Sequence, residues 1–110
     1  MEITWKDFEK VQLRVGTILT ADSFKEAHNP SYKLQIDFGD LGILKSAAQI
    51  TTRYNLKELI GKQIVAVVNF PKKQIANLMS ECLVLGVVDG SENVVLLTAD
   101  APVKNGLRVL

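Results

Sequence analysis

The sequence predicts a mainly β domain, a five-stranded barrel with one short helix between the third and fourth strands. Apolar and polar residues alternate from Tyr32 to Phe38, which is the pattern of a strand with one buried face. Two further apolar-rich runs, Gln63–Phe70 and Cys82–Val88, follow later in the chain. The internal helix signal begins at Asn55, before both of these runs. This order is that of an OB-fold barrel, and a small sandwich is the alternative that periodicity alone allows.

The amino-terminal segment predicts a short helix over Trp5–Lys10. Thr4 and Asp7 have the spacing of a capping box, in which each side chain accepts a hydrogen bond from the other residue's backbone. Trp5 and Phe8 are three residues apart and therefore share one face of this helix. That face must pack on something, either its own domain or a second subunit.

The first strand is predicted over Val11–Ala21. Its apolar residues at alternate positions are expected on the buried side, namely Val11, Leu13, Val15 and Leu19. Gly16 interrupts this run and predicts a bulge or bend, as a curled first barrel strand needs.

The remaining elements follow in order. After a break at Gly39–Gly42, a third strand is predicted over Ile43–Ile50. Asn55 can cap a helix over Leu56–Ile60, and Gly61 lies where a left-handed C-terminal cap belongs. The last predicted features are a turn over Asp89–Asn93, a short run over Val94–Thr98 and an apolar end, Leu107–Leu110.

Composition indicates one globular domain over residues 1–110. The hydrophobic fraction of 47% is ordinary for a folded chain. No apolar run approaches the roughly 18 residues of a membrane span, and the first residues lack a signal-peptide pattern. Cys82 is the only cysteine, so no internal disulfide can form. We therefore expect a cytoplasmic protein without membrane insertion.

Charge is unevenly distributed although the formal net charge is only +1. Residues 62–80 carry three bases and no acid, whereas residues 81–100 carry four acids and no base. A nucleic-acid role would have to rest on the local basic stretch and not on the total. Two differently charged solvated faces explain the charges equally simply.

Catalysis finds little support in the sequence. His28 is the only histidine and lies in a turn-like stretch, so it has no second histidine with which to hold a metal. Cys82 opens an apolar run and is most simply a small buried hydrophobe. No phosphate-binding glycine loop or nucleophile elbow occurs. We expect no enzyme activity, no metal and no cofactor.

Binding is better supported, by the stretch from Asn69 to Gly86. Pro71 ends regular pairing there, and Lys72 and Lys73 follow on what is predicted to be a loop between two buried strands. Asn69 and Ser80, at the ends of the loop, can either bind a ligand or tie the loop's own backbone. The loop also carries apolar residues that suit a peptide surface or anchor it to the core, namely Phe70, Ile75, Leu78 and Met79.

The same stretch, with the rest of the chain, resembles a known family. The motifs are Asn69-Phe70-Pro71, Gln74-Ile75-Ala76 and Ser80-Glu81 in the loop, and Lys10–Gly16, Pro30–Gly39, Ser46–Thr51 and Leu59–Lys62 elsewhere. On these the sequence is similar to the stand-alone tRNA-binding-domain family, and most of all to its export-related chaperone branch, the CsaA-type proteins. Two departures stand out, since Lys72 replaces a usual proline and Ala47 a usual serine.

The resemblance implies an OB-fold and decides against the sandwich. It also implies a homodimer formed by terminal extensions, about residues 1–10 and 99–110, with contacts from Trp5, Phe8, Leu107, Val109 and Leu110. The implied function is that of a chaperone that binds unfolded precursor proteins and assists their export. The export machinery is a further partner that this function implies. The alternatives are a tRNA-binding protein using the same face and, more remotely, an auxiliary domain that docks on an aminoacyl-tRNA synthetase. The implied peptide or tRNA contacts are Lys33, Ser46, Gln49, Arg53, Asn69, Phe70, Lys72, Lys73, Met79 and Ser80.

Overall fold

The computed structural model describes residues 1–90 and 92–110. Its helices are α1, Trp5–Glu9, and α2, Leu56–Leu59, with one 3-10 turn at Gly39–Leu41. Its strands are β1, Leu13–Ser23; β2, Tyr32–Asp37; β3, Ile43–Ala48; β4, Gln63–Val67; β5, Lys73–Ile75; β6, Leu78–Ser80; β7, Leu83–Val84; β8, Gly86–Asp89; and β9, Asn93–Leu96. The predicted turn at Asp89–Asn93 includes Ser91, which lies outside the described residues.

Five strands form an antiparallel barrel in the order β3-β2-β1-β4-β7. The open side between β3 and β7 is bridged where the backbone N–H of Glu81 donates to the carbonyl of Lys45 at 2.7 Å. Helix α2 lies between β3 and β4 in the chain, as the sequence predicts. The nearly closed five-stranded barrel with a short helix confirms the predicted OB-fold class.

The barrel core lies between β1, β2, β3, β4 and α2. Its fully buried members include Ile18, Leu34, Ile36, Phe38 and Ile64. The alternation predicted from Tyr32 to Phe38 is confirmed, since Leu34, Ile36 and Phe38 all point inwards.

The predicted buried face of β1 is only partly right. Val15 is buried as predicted and Leu13 is partly buried. Val11 and Leu19 are exposed, however, and Gly16 and Ile18 face the core. A Cβ on Gly16 would lie 2.7 Å from Ile36 and Phe38, so glycine is required by close packing and not by a bulge there. The irregularity in pairing with β2 instead lies between Ile18 and Thr20, where it brings Ala21 back to the inside.

Both predicted helix caps are confirmed. Thr4 and Asp7 form a capping box at α1, and Asn55 and Glu58 form another at α2. Gly61, after α2, has φ of +89°, as expected for a left-handed cap position. Neither helix approaches membrane-spanning length or hydrophobicity in the described part of the chain.

The two ends of the chain meet beside β1. The backbone N–H of Val15 donates to the Leu107 carbonyl at 3.0 Å, and the backbone N–H of Val109 donates to the Leu13 carbonyl at 2.9 Å. The Arg108 guanidinium donates to the carbonyl of Glu9 at 2.7 Å, at the end of α1. These bonds hold the terminal segments together at one end of the barrel.

Candidate binding site

The stretch predicted as a loop after β4 is a β-hairpin. Strand β4 ends at Val67, and Pro71, which has no N–H to donate, precedes β5. Strands β5 and β6 pair in a tight hairpin, with Ala76 at φ of +49° in its turn. The Gln74 side chain donates to the Ala76 carbonyl at 2.7 Å and supports this turn. Strand β6 packs against β3, so the barrel wall positions the hairpin.

A groove of about 540 Å³ lies between the hairpin and the barrel. Its apolar lining comes from Phe70, Pro71, Ile75, Leu83 and Ala47, and its other lining residues are Gln49, Lys72, Lys73, Ser80, Glu81 and Cys82. Phe70 is 55% exposed and Leu83 is 49% exposed, so large apolar side chains are available to a ligand. The groove can therefore bury apolar groups against a rim that carries charge.

Glu81 holds the charged part of this groove together. Its Oε1 accepts a hydrogen bond from the backbone N–H of Lys45 at 3.0 Å, and its Oε2 lies 3.4 Å from the Lys72 ammonium. The Lys45 hydrogen bond, followed by the contact with Lys72, lowers the pKa of Glu81. The carboxylate is therefore ionised at neutral pH, and Lys72 is paired rather than available as an isolated charge.

The other lysines of the prediction line two different cavities. Lys73 is exposed on the groove side and makes no ion pair with any residue that the structure describes. Lys33 instead lines a separate cavity of about 210 Å³, together with Lys45 and Leu78. Its ammonium lies 5.7 Å from the Phe24 ring centroid. The structure therefore does not bring Lys33 and Lys73 into one basic cluster.

Arg53 also lies outside the groove lining. It follows β3 in the chain, and its guanidinium lies 5.9 Å from the centroid of the Tyr54 ring. Gln49, by contrast, is exposed and lines the groove, as the resemblance implies for a contact residue.

Ser46 and Cys82 are parts of the barrel wall beneath the groove. Ser46 is 1% exposed, and its hydroxyl donates to the Cys82 carbonyl at 3.0 Å. Because this hydroxyl is buried and already hydrogen-bonded, Ser46 is not part of the surface that a ligand in the groove can contact. Burial raises the pKa of the Cys82 thiol to about 12, so the sulfur stays protonated and unreactive at neutral pH.

Asn69 and Ser80 were equally open to a ligand role and a structural role. The side chain of Asn69 accepts from the backbone N–H of Gln12 at 2.9 Å and donates to the Lys10 carbonyl at 2.7 Å. This favours the structural role, since Asn69 ties the amino-terminal segment to the end of β4. Ser80 lines the groove, with its hydroxyl 3.4 Å from the Cys82 carbonyl.

Met79 lies on the opposite face of the hairpin from the groove. It pairs with Gln74, whereas the groove is lined by Lys73, Ile75 and Ser80, which alternate with those positions. Phe70 and Ile75 therefore share the groove without Met79. Leu83 takes the third apolar place, and its position at the start of the apolar run after Glu81 is the sequence signal for it.

A second apolar surface, the terminal patch, lies at the meeting point of the chain ends. It encloses about 610 Å³ and is lined by Ile3, Thr4, Trp5, Phe8 and Leu110. Trp5 is 82% exposed, which is unusual for so large an apolar side chain. Leu107 is also exposed and Val109 is partly buried on the segment that pairs with β1.

Comparison with known proteins gives consistent results across sequence and structure. The family described as "Putative tRNA binding domain" matches residues 13–108. A methionine–tRNA ligase from Bdellovibrio bacteriovorus is 33% identical over 98% of this chain. The chain corresponds to only 16% of that protein's length, and to similar shares of the other curated relatives compared.

Solved structures with similar folds match the whole chain. The chaperone CsaA from Bacillus anthracis has a TM-score of 0.95 and 49% identity, with full coverage of both chains. The CsaA chaperone from Picrophilus torridus has a TM-score of 0.92 and 51% identity, covering 99% of this chain and 100% of its own. A MetRS-related protein from Pyrococcus horikoshii has a TM-score of 0.85 and 28% identity, again with full coverage of both chains.

These matches agree with the motifs in the hairpin and on the barrel strands. The relatives include parts of tRNA ligases as well as separate chaperones. Proteins of two different kinds therefore share this domain. The chain belongs to the tRNA-binding-domain family and is of the CsaA type within it.

Proposed function

We propose that this chain is a homodimeric chaperone of the cytoplasm that binds unfolded precursor proteins and assists their export. The observation that carries the proposal is the groove beside the hairpin, in which Phe70, Ile75 and Leu83 are accessible. Exposed apolar segments are what distinguishes an unfolded client from a folded one, and this groove can bury them. The CsaA chaperones to which the chain is similar support the chaperone part of this proposal.

From the lining of the groove we expect weak selectivity among clients. Lys72 and Glu81 neutralise each other, and the uncharged polar groups, Gln49 and Ser80, can donate or accept hydrogen bonds. Lys73 adds one exposed positive charge at the rim. Such a lining recognises apolar bulk without demanding one side-chain charge. We expect binding without nucleotide, because the chain carries no phosphate-binding glycine loop.

A dimer would present two grooves to one client. The terminal patch exposes Trp5 and Leu110, and large exposed apolar patches commonly mark contacts between proteins. We assign the terminal segments to a two-fold contact between copies of this chain. A long unfolded client engaging both grooves would gain affinity through its effective concentration at the second groove.

The second candidate function is tRNA binding, and the family match favours it. Lys73 is exposed beside the groove, and Lys33 and Lys45 line a separate cavity. Basic side chains at separate points along one surface can follow a nucleic-acid backbone. In this case binding would weaken steeply with salt, by roughly 0.7 to 0.9 log units per phosphate contact for each log unit of salt.

The test of the proposed function is suppression of client aggregation, followed by light scattering. A denatured client diluted into buffer should aggregate less at a near-stoichiometric dose of the parent protein, without added nucleotide. Phe70→Ser should lose at least about half of this protection, because it removes the largest apolar group of the groove. Circular dichroism and sedimentation must first show that the variant keeps the parent's fold and assembly.

Two matched variants define the groove as the client site. Ile43 is 58% exposed, similar to Phe70, but it is on β3 outside the groove lining, so Ile43→Ser should protect as well as the parent. Met79→Ser should lose less than Phe70→Ser because Met79 is on the opposite face of the hairpin. Equal protection by Phe70→Ser and the parent would exclude this groove, and no protection by the parent together with tight tRNA binding would favour the second function.

A further inference from the structure

The Lys72–Glu81 pair is asymmetric, and the acid is its fixed member. The Glu81 side chain is 17% exposed and is anchored to the backbone of β3 through the Lys45 N–H. The Lys72 side chain is 66% exposed and reaches Glu81 from the segment that precedes β5. Glu81 therefore stays in place whichever partner Lys72 adopts.

We infer that Glu81 determines the ligand class of the groove by holding Lys72 and placing a fixed negative charge beside it. The inference rests on the proposed function, because it assumes that the groove is the ligand site. A phosphate group entering the groove would have to take Lys72 from Glu81 and then lie near an unpaired carboxylate. An uncharged apolar segment would neither have to break the Lys72–Glu81 pair nor experience repulsion from the carboxylate.

Lys73 provides an internal reference for this effect. It is adjacent in sequence and exposed, and it lines the same groove, but it makes no ion pair within the described part of the chain. Two neighbouring lysines thus differ in whether a carboxylate holds them. Any phosphate binding at this edge should depend more on Lys73 than on Lys72.

The expected size of the effect follows from the exposure of the pair. Partly exposed ion pairs change an equilibrium by about 1.5- to 5-fold. Removing the Glu81 charge should therefore increase affinity for a phosphate-bearing ligand by roughly 2- to 5-fold. If Lys72 then contacts one phosphate, the logarithm of the binding constant should fall more steeply with salt, by about 0.7 to 0.9 log units more per log unit of salt concentration.

The experiment measures binding of a fluorescently labelled tRNA transcript across a salt series. The key variant is Glu81→Gln, whose amide oxygen can still accept the Lys45 N–H. Asp100→Asn is its matched control, since Asp100 is exposed, is not in the groove lining and changes the net charge by the same amount. Glu81→Gln should bind tRNA more tightly than Asp100→Asn and with the steeper salt dependence.

A double variant tests whether Lys72 carries the gain. In Glu81→Gln/Lys72→Ala the affinity should fall back to that of Lys72→Ala alone, because coupled residues are not additive. A gain that persists in the double variant, or equal binding by Glu81→Gln and Asp100→Asn, overturns the inference. So does the absence of tRNA binding by every variant, because the released Lys72 would then admit no phosphate.

A second route avoids substitution of Glu81, should that variant fold poorly. In the parent background Lys73→Ala should weaken tRNA binding more than Lys72→Ala does, and equal losses would overturn the inference. Both side chains are exposed, so neither change disturbs the core. Client protection is measured separately, so failure of the chaperone proposal is distinguishable from failure of this one.

Discussion

Two apolar surfaces among the described residues, the terminal patch and the groove, differ in charge, and this difference is consistent with the separate roles that we propose for them. The terminal patch is lined by Ile3, Trp5, Phe8 and Leu110, with Thr4 as its polar member. The groove surrounds its apolar floor with Lys72, Lys73 and Glu81. Protein interface cores are depleted in charge, so the terminal patch suits a permanent partner of matching shape. The charged rim of the groove is better suited to ligands that bind reversibly.

The two surfaces are also built differently. The terminal patch forms where segments far apart in sequence are joined, as the Arg108 bond to Glu9 shows. The groove is formed by one local hairpin set against a barrel wall. Asn69 connects them, since its side chain binds the segment after α1 while the next residue, Phe70, lines the groove.

The largest expected effect of a single substitution is weaker association of the proposed dimer on changing Trp5. Trp5→Ser removes the most exposed aromatic residue of the terminal patch and should weaken association by about 2 kcal/mol or more, as for a typical interface hot spot. Sedimentation over a range of concentrations measures the shift. Ile43→Ser, which changes an exposed apolar residue outside the terminal patch, should leave assembly unaltered.

Removal of residues 107–110 is the harsher form of the same test. It deletes Leu110 from the terminal patch and also the backbone bonds of Leu107 and Val109 to β1. The product should be a monomer or an aggregate. A truncated chain that remains dimeric at micromolar concentration would show that this tail is not the interface.

The next effect in size concerns the link between the two surfaces. Asn69→Ala removes two hydrogen bonds to the segment over residues 10–12, and each is worth about 0.5 to 1.5 kcal/mol. The free energy of unfolding should fall by roughly 1 to 2 kcal/mol in urea, at a fixed protein concentration. Gln35→Ala is the control, because that exposed side chain makes no hydrogen bond with the described residues. An Asn69→Ala variant as stable as this control would show that the link is unimportant.

Local chemistry in the sequence was sufficient to predict much of the fold. The Thr4–Asp7 capping pair located α1, the Asn55 cap located α2, and strict alternation located β2. The buried face of β1 was predicted only in part. The core-facing positions change from Gly16 and Ile18 to Ala21 across the irregularity between Ile18 and Thr20, so no single alternation describes the strand. Ile36 and Phe38 leave no room for a side chain at position 16, so glycine is needed where β1 faces the core. The spacing of residues in the sequence does not reveal that packing.

The candidate site was harder to predict than the fold. Lys72 and Lys73 look equivalent in the sequence, and only the structure shows that Glu81 pairs with the first of them. The role of Asn69 was open because its partners lie 57 and 59 residues earlier in the chain. The hairpin was predicted as a loop because Pro71 and Lys72 directly precede it and because its two strands are very short. Tertiary contacts decide such positions, whatever their local propensity.

The smallest expected effect is the pH dependence of stability that Glu81 confers. The Lys45 N–H and the Lys72 ammonium lower the pKa of Glu81 in the folded protein relative to the unfolded chain. Its stabilisation should therefore be fully present above the unfolded-state pKa and be lost as the pH falls through the folded-state pKa. Glu81→Gln should be less stable than the parent at neutral pH, by less than about 1 kcal/mol, as for a partly exposed pair.

That difference should shrink as the medium becomes acidic, since both proteins then carry an uncharged group at position 81. Urea unfolding of the parent and of Glu81→Gln across a pH series, at one protein concentration, measures it. Asp100→Asn should show no comparable trend, because no hydrogen bond or ion pair involving Asp100 occurs among residues 1–90 and 92–110. A Glu81→Gln difference that stays constant from neutral to strongly acidic pH would mean that the carboxylate's charge does not stabilise the groove edge. The Lys72–Glu81 contact would then be electrostatically neutral for folding, and its effect would be confined to ligand choice.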